Sequence, residues 1–439
     1  MRTLVLTPAI LASALFASSG AHAQIEIQWW HSMTGALGER VTEFASGFNA
    51  SQKDYKIVPV YKGSYPESMT AAIAAYRAGT APHIVQVFEV GTATMMSAKG
   101  AIKPVYQLMK ESGEKFDPKA YVSAVAGYYT DRKGNMLSFP FNSSTPVFYI
   151  NKDAFKKAGL DPNAAPKTWK EFGVAAGKLK ASGQACVYTT GWPSWVHIEN
   201  FSAWHNLPIG TAENGIASTN TEFKINSPLH VAHIQMLADF AKNGWFTYAG
   251  RRNEAEAKFF SGECAMLTSS SAAQANIRKN AKFEFSVNFL PYNDAIKGAP
   301  QNSIIGGASL WVLGGKKPAE YKGVAKFMAY LSQPELQAQW HQMTGYVPIT
   351  NAAAELTKKT GYYDKNPGTD VAVKQLNNKT PTANSKGLRF GNFVQGRTVI
   401  EEEMEAVFAG KKDAKTAMDD AVRRGNEILK KFATTAKDS

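Results

Sequence analysis

Apolar and polar residues alternate at Ile25, Ile27 and Trp29, and beyond the polar break His31 to Gly35 the apolar positions Leu37, Val41, Phe44 and Phe48 recur at helical spacing. The pattern predicts a strand followed by a helix. A second strand is expected over Lys56 to Tyr61, then a helix with Met69, Ile73 and Tyr76 on one side, then a short strand Ile84 to Phe88. This alternation points to α/β units on a largely parallel sheet. The same pattern restarts after residue 145, with Val147 to Ile150 as a strand and Lys152 to Ala158 as a helix ended by Gly159. Thr168 ahead of Trp169 and Glu171 reads as a capping box, and Ser227-Pro228 as an N-cap with proline in the first helical turn. Met418, Val422, Ile428 and Phe432 predict a closing amphipathic helix. No repeat, low-complexity tract or flexible linker separates the two runs of units. Two lobes joined by several tight passages are therefore expected, and ligands favour the cleft between such lobes.

The chain begins with Met1, Arg2 and Thr3, an apolar run Leu4 to Phe16, and the small-residue site Ala21-His22-Ala23. Residues 1–23 are predicted to be a cleavable signal peptide, with the mature chain starting at Gln24. No apolar stretch of about 20 residues follows. The expectation is a soluble protein, free in the periplasm, since Gln24 offers no thiol for a lipid anchor. Across 439 residues, 49 Lys and Arg against 36 Asp and Glu give a formal charge of +13. The lysines are dispersed, as at Lys152, Lys156 and Lys157 or Lys316 and Lys317, which suits a solvated basic surface that draws in an anionic solute better than a nucleic-acid groove. Cys186 and Cys264 lie in strand-like apolar runs; a disulfide and two buried thiols are both open.

Candidate chemistry is scattered along the chain. Ser269, Ser270 and Ser271 stand between a small-residue strand and a helical stretch, Ala272 to Ile277, where they either cap the helix or hold an anion at its N-terminus. Asn142, Ser143, Ser144, Thr145 and Pro146 form a polar segment between apolar runs, read as a crossing between lobes. Ile305-Gly306-Gly307-Ala308-Ser309 lets backbone N–H groups approach a ligand. Glu89 follows a buried-looking strand at its C-terminal end, the usual place for ligand groups. Arg397 offers a planar fork for a phosphate, or an ion pair with Glu401, Glu402 or Glu403. Trp192 and Trp195 flank Pro193 and Ser194; one is expected to pack in the core, the other to cover a ligand. Signals for catalysis are missing: there is no G-x-S-x-G, no Walker-A loop and no cysteine metal pair. His230 and His233 share a helix face without a carboxylate beside them in sequence and read as ordinary histidines. No catalytic residue, metal or cofactor is predicted, and the protein is expected not to be an enzyme.

Tyr149-x-Asn-Lys-Asp153-x-Phe155-Lys-Lys-Ala-Gly159-Leu-Asp161, Pro166-Lys-Thr168-Trp169 and Phe260-x-Gly262-x-x-Ala265-Met266 together resemble the extracellular solute-binding family that includes maltose receptors. Trp30-His-Ser-Met33, Tyr55-Lys-Ile-Val-Pro59, Val90-Gly-Thr-Ala-Thr-Met-Met96, Phe141-Asn-Ser-Ser-Thr-Pro146 and Gly306-Gly-Ala-Ser-Leu-Trp311 resemble its glycerol-phosphate receptors. The resemblance implies an α/β, two-lobed periplasmic-binding-protein fold with discontinuous lobes and three interlobe crossings, placed near 138–146, 302–308 and 346–350. It assigns 24–140 and 308–345 to the N-terminal lobe, and 145–302 and 350–439 to the C-terminal lobe. It implies ligand contacts at Tyr65, Glu89, Ser144, Ser270, Gly307, Tyr346 and Arg397, with Trp192 and Trp195 also matching. Arg397, Tyr346, Ser270 and the Gly307 amide are expected on the phosphate; Glu89, Ser144 and Tyr65 on the glycerol hydroxyls. The implied ligand is sn-glycerol 3-phosphate or a diester such as glycerophosphocholine. The implied partner is the membrane part of an ABC importer, with the receptor a monomer and no nucleic acid involved. Two rivals are a receptor for a neutral sugar, with the tryptophans as platform and Arg397 structural, and a secreted phosphodiesterase, for which no nucleophile or metal cluster is found.

Overall fold

The computed structural model describes residues 24–436, so the predicted signal peptide lies outside the described residues. The opening pattern forms β1 (Ile25–His31), α1 (Gly35–Ser51), β2 (Tyr55–Tyr61), α2 (Tyr65–Arg77) and β3 (Ile84–Phe88). Next come β4 (Phe139–Ser144), β5 (Pro146–Asn151) and β6 (Cys186–Thr190). The chain continues through α3 (Glu254–Phe260), β7 (Cys264–Ser270), α4 (Ala273–Asn280), β8 (Phe285–Asn288), β9 (Gly306–Val312) and α5 (Phe393–Phe408).

The strands form two sheets, one in the order β2-β1-β3-β9-β4 and one in the order β6-β7-β5-β8. β1 runs parallel to β2 and β3, but β9 is antiparallel to both β3 and β4. In the second sheet β6 and β7 are parallel, while β5 is antiparallel to β7 and β8. The expected parallel pairing thus holds for the opening βαβ units and for β6 with β7, and the other pairs are antiparallel. The chain changes sheet between β4 and β5 and again between β8 and β9. The architecture is a two-lobed α/β fold.

The polar segment Asn142 to Pro146 is not a turn. Asn142, Ser143 and Ser144 complete β4, and Thr145 alone separates it from β5 in the other sheet. Lateral hydrogen bonds from remote segments help to hold these polar residues in the sheet. Asn142 Oδ1 accepts from Gln86 Nε2 at 2.8 Å, and the Ser143 carbonyl accepts from the Val347 N–H at 2.8 Å. Ser143 also pairs with Gly307 across the sheet, so three separate segments meet at this one residue.

Each sheet carries its own aromatic packing: Trp29 against Phe141 and Phe327 in the first, Phe172 against Phe148, Tyr188 and Phe240 in the second. The buried face of α2 is Ser68, Met69, Ala72 and Ala75. Ile73 and Tyr76, expected on that face, are instead 38% and 39% exposed. Small residues let α2 lie close to the sheet, which turns its larger residues outward. The predicted caps form: Thr168 Oγ1 accepts from the Glu171 N–H at 3.1 Å, and Ser227 Oγ accepts from the His230 N–H. Cys186 and Cys264, opposed on neighbouring strands β6 and β7, are joined as a disulfide.

Candidate ligand-binding site

A cavity of about 420 Å³ lies between the two sheets, and Tyr65, Glu89, Ser144, Trp192, Trp195, Ser270, Gly307, Tyr346 and Arg397 all line it. The nine come from widely separated stretches of chain. Strand ends supply several: Glu89 follows β3 directly, Ser144 ends β4 and Ser270 ends β7. At these ends the backbone stops pairing, so side chains and N–H groups are free to face the space beyond the sheet.

Arg397, on α5, is 2% exposed. Its Nε donates to Glu199 Oε1 at 2.8 Å, and its Nη2 donates to Glu199 Oε2 at 2.6 Å and to Glu89 Oε1 at 2.7 Å. The glutamates nearer in sequence are occupied elsewhere: Glu401 pairs with Arg252 at 2.6 Å, and Glu402 and Glu403 pair with Arg424 at 2.5 and 2.7 Å. Burial alone would lower the arginine pKa, but Glu199 and Glu89 more than offset it, so the guanidinium stays charged. Glu89 is pushed upward by burial, a shift that Arg397 only partly opposes. The cluster holds one cation against two carboxyl groups. Nη1 of Arg397 has no protein hydrogen-bond partner among the described residues, and a ligand oxygen could take it.

Glu199 was not anticipated from sequence. It sits fully buried on a π-helical turn, Trp195–Asn200, and also accepts from Ser194 Oγ at 3.2 Å. Its string, Trp195-Val-His-Ile-Glu199-Asn, carried a usable signal, since a carboxylate among apolar neighbours is rarely buried without a partner.

The hydroxyl groups are held by a relay. The Tyr65 ring stacks on Phe88 with centroids 5.3 Å apart, and its oxygen accepts from Asn142 Nδ2 at 3.0 Å. Tyr346 follows Gly345, stacks on Trp340 at 5.3 Å and turns its hydroxyl to Met33 Sδ at 3.7 Å. Ser270 Oγ accepts from the Ala272 N–H at 3.1 Å, so it does cap the entry to α4 while facing the cavity. Ser269 Oγ instead donates to Glu256 Oε1 at 3.1 Å. Glu256 is a second wall residue that sequence reading missed; it is 4% exposed, and burial pushes it up to about 7.

The two tryptophans differ. Trp195 is 4% exposed and presses its ring against Gly306, where a Cβ would collide with the indole. Trp192 is more open and adopts φ 53°, a conformation that costs a bulky residue about 1–3 kcal/mol and gathers at functional sites. Its Nε1 donates to Asn253 Oδ1 at 2.6 Å, and the Arg252 guanidinium lies over its ring at 5.2 Å. Across the cavity mouth Trp192 meets Tyr65 at 6.2 Å, Asn276 Oδ1 accepts from the Ala36 N–H at 3.4 Å, and Lys279 pairs with Glu39 at 2.6 Å.

Among the described residues, no group of three or more His, Cys, Asp or Glu side chains could hold a metal ion. His230 is bonded to Ser202 and Ser227, and His233 to His197.

The profile of the bacterial extracellular solute-binding proteins matches residues 43–370. The chain belongs to this family. This solute-binding protein is 55% identical to the sn-glycerol-3-phosphate-binding periplasmic protein UgpB of Pectobacterium atrosepticum, over 99% of this chain and 98% of the relative. It is 54% identical to the protein of the same name from Salmonella typhimurium, over 97% and 98%. Among solved structures, UgpB from Mycobacterium tuberculosis in complex with glycerophosphocholine superposes with a TM-score of 0.76 at 22% identity, covering 92% of this chain and 98% of that one. Maltose-bound MalE3 of T. maritima gives 0.76 at 17% identity, covering 92% and 99%. At these identities the two structures speak for the fold.

Proposed function

We propose that the protein is the periplasmic substrate-binding component of an ABC importer and that it binds sn-glycerol 3-phosphate, glycerophosphodiesters such as glycerophosphocholine, or both. Binding, not chemistry, is its function. The observation that carries the ligand reading is the convergence, on one cleft of about 420 Å³, of a buried arginine, two tyrosines, two strand-end serines and Gly307. Such a volume suits a small solute, and relatives at 55% identity are named for sn-glycerol 3-phosphate.

In this reading Nη1 of Arg397, the hydroxyls of Tyr346 and Ser270 and the Gly307 N–H hold the phosphate. Glu89, Ser144 and Tyr65 take the glycerol hydroxyls. With Arg397 already matched by two carboxyl groups, hydroxyl and amide dipoles do most of the work of stabilising the anion, as they can without net positive charge. Trp192, with its open face, lies where the headgroup of a diester would extend. The lobes are assigned as 24–140 with 308–345, and 145–302 with 350–439, and the crossings near 138–146, 302–308 and 346–350 serve as hinges. Closure around the solute presents the docking form to the membrane subunits of the importer.

Calorimetric titration of the mature, ligand-free protein with sn-glycerol 3-phosphate, glycerophosphocholine and maltose tests the reading. One-to-one binding of a phosphate compound at micromolar affinity or better, about −8 kcal/mol, with no heat from maltose, is expected. Binding of maltose alone would overturn the ligand assignment.

A further inference from the structure

Glu256 enters the cavity from α3, a helix that none of the assigned ligand contacts uses. Unlike Glu89, it has no cation against it among the described residues. On its own helix Glu254 repels it, and Lys258 is taken by Glu263 at 2.7 Å. From β7 only the Ser269 hydroxyl reaches it, and from α4 only the Asn276 amide. Lys279 on α4 is bound to Glu39 at 2.6 Å, Arg278 is hydrogen-bonded to Gln274 and the Gln342 carbonyl, and Arg252 ahead of α3 is held by Glu401. The remaining titratable neighbours are the phenols of Tyr149 and Tyr346, both of which feel the Glu256 charge. Glu256 therefore shares a wall with the groups assigned to the phosphate: it lines the same cavity as Ser270 and Tyr346, and its charge acts on Tyr346.

An anion seated on Ser270 and Tyr346 shares a water-poor wall with this carboxyl. As a carboxylate Glu256 repels it; as a carboxylic acid it donates a hydrogen bond to it. We propose that Glu256 is a proton-linked ligand residue, facing the bound phosphate as the neutral acid, so that binding of each phosphate ester draws one proton from solvent onto its carboxyl. The inference rests on the phosphate placement given above. Since burial already pushes the group up to about 7, its acid form is readily reached near neutral pH. Affinity then falls as pH rises past 7, and the acid rewards a ligand that offers acceptor oxygens at this wall.

Calorimetry of the full mature protein at pH 8, in two buffers of different ionisation enthalpy, counts the protons. Glycerophosphocholine is the first probe, because a phosphodiester does not titrate near neutrality, whereas a monoester has a second pKa of about 6. Uptake approaching one proton by the wild type is expected, with affinity about tenfold weaker at pH 8.5 than at pH 7. Glu256→Gln is expected to bind with no uptake and a flat pH profile. Binding without uptake, or with proton release, by the wild type overturns the inference and leaves the phosphate-ester reading intact. Equal uptake in wild type and Glu256→Gln overturns it too, by placing the proton elsewhere. If neither glycerophosphocholine nor sn-glycerol 3-phosphate binds, the phosphate-ester reading itself falls and takes the inference with it. The wild-type measurement stands alone if the variant does not fold.

Discussion

Arg397 and Glu199 share two parallel hydrogen bonds, Nε to Oε1 at 2.8 Å and Nη2 to Oε2 at 2.6 Å, with both side chains buried. The pair fixes the plane of the guanidinium, and Glu89 takes one further proton from the same Nη2. Arg397, proposed above as a phosphate ligand, thus also has a structural role. Arg397→Ala leaves two carboxyl groups without their cation and is expected to destabilise the fold by about 3–5 kcal/mol as well as to weaken binding tenfold or more. Arg397→Lys keeps the charge but loses the fork, so binding is expected to suffer more than stability. Urea midpoints beside calorimetric affinities separate the two effects; an Arg397→Ala protein with the wild-type midpoint would contradict the buried pairing.

Gly307 adopts φ +97°, and a Cβ there would fall onto the Asn142 carbonyl oxygen. Gly134 has φ +84° with open space around it. Gly134→Ala is therefore expected to cost about 1 kcal/mol from backbone strain alone, and Gly307→Ala at least about 2 kcal/mol more, together with ligand affinity. Equal losses in denaturant midpoint for the two variants would show that close approach at Gly307 does not matter.

Buried histidines are expected to set the acid limit of stability. Burial lowers His197 to about 3 and His31, His205, His230 and His341 to about 4, and His233 is likewise held well below its ordinary value by burial. Because the folded values lie below the unfolded value of about 6.5, their contribution is complete above that pH and is lost as pH falls from about 6.5 towards 4. Unfolding midpoints measured from pH 7.5 to 4.5 should fall steadily, by several kcal/mol in total. A flat profile across that interval would refute the assignment.

The Cys186–Cys264 bond closes a long loop, the two residues being 78 positions apart. Reduction, or replacement of both by serine, is expected to lower stability by about 2–5 kcal/mol. Thiol titration of the unfolded, unreduced protein should find no free thiol, since both cysteines are bonded.

Trp195 and Trp192 should part company on truncation. Trp195→Ala opens a hole against Gly306 and is expected to cost about 3–5 kcal/mol of stability. Trp192→Ala removes a half-exposed face and keeps the same backbone conformation, so stability should change little while affinity for glycerophosphocholine drops more than for sn-glycerol 3-phosphate. Parallel loss for both ligands would remove Trp192 from the headgroup site.

Hydrophobic spacing was enough to place β1, α1, β2, β3 and β5, because each has one face or a whole run committed to the core. It failed for the tail of β4, where Asn142 and Ser143 are polar yet fully buried: their partners, Gln86 and Val347, are remote in sequence. It also misjudged α2, whose buried face is built from small residues that carry little hydrophobic signal. The nine site residues could be named from short motifs and family resemblance, but the pairing of Arg397 could not. Nearby Glu401, Glu402 and Glu403 offered themselves locally, whereas Glu199 and Glu89 arrive from 198 and 308 positions away. Glu256 was hidden for another reason: followed by Lys258 and preceded by Glu254, it reads as part of a solvated helix start, and only the fold turns it inward.

The meeting of three segments at Ser143 also bears on the order in which a solute can leave. Thr145 alone separates β4 in one sheet from β5 in the other; under the proposed hinge there, the lobes would swing about that line and displacement would grow with distance from it, as along the blades of scissors. Contacts at the rim, Trp192 with Tyr65 and Asn276 with Ala36, would then travel furthest and part first. Ser144, beside Thr145, and Gly307, paired with Ser143, would move least. A departing solute would lose its outer grip while its inner end is still held, which favours a directed exit through the mouth, one end at a time.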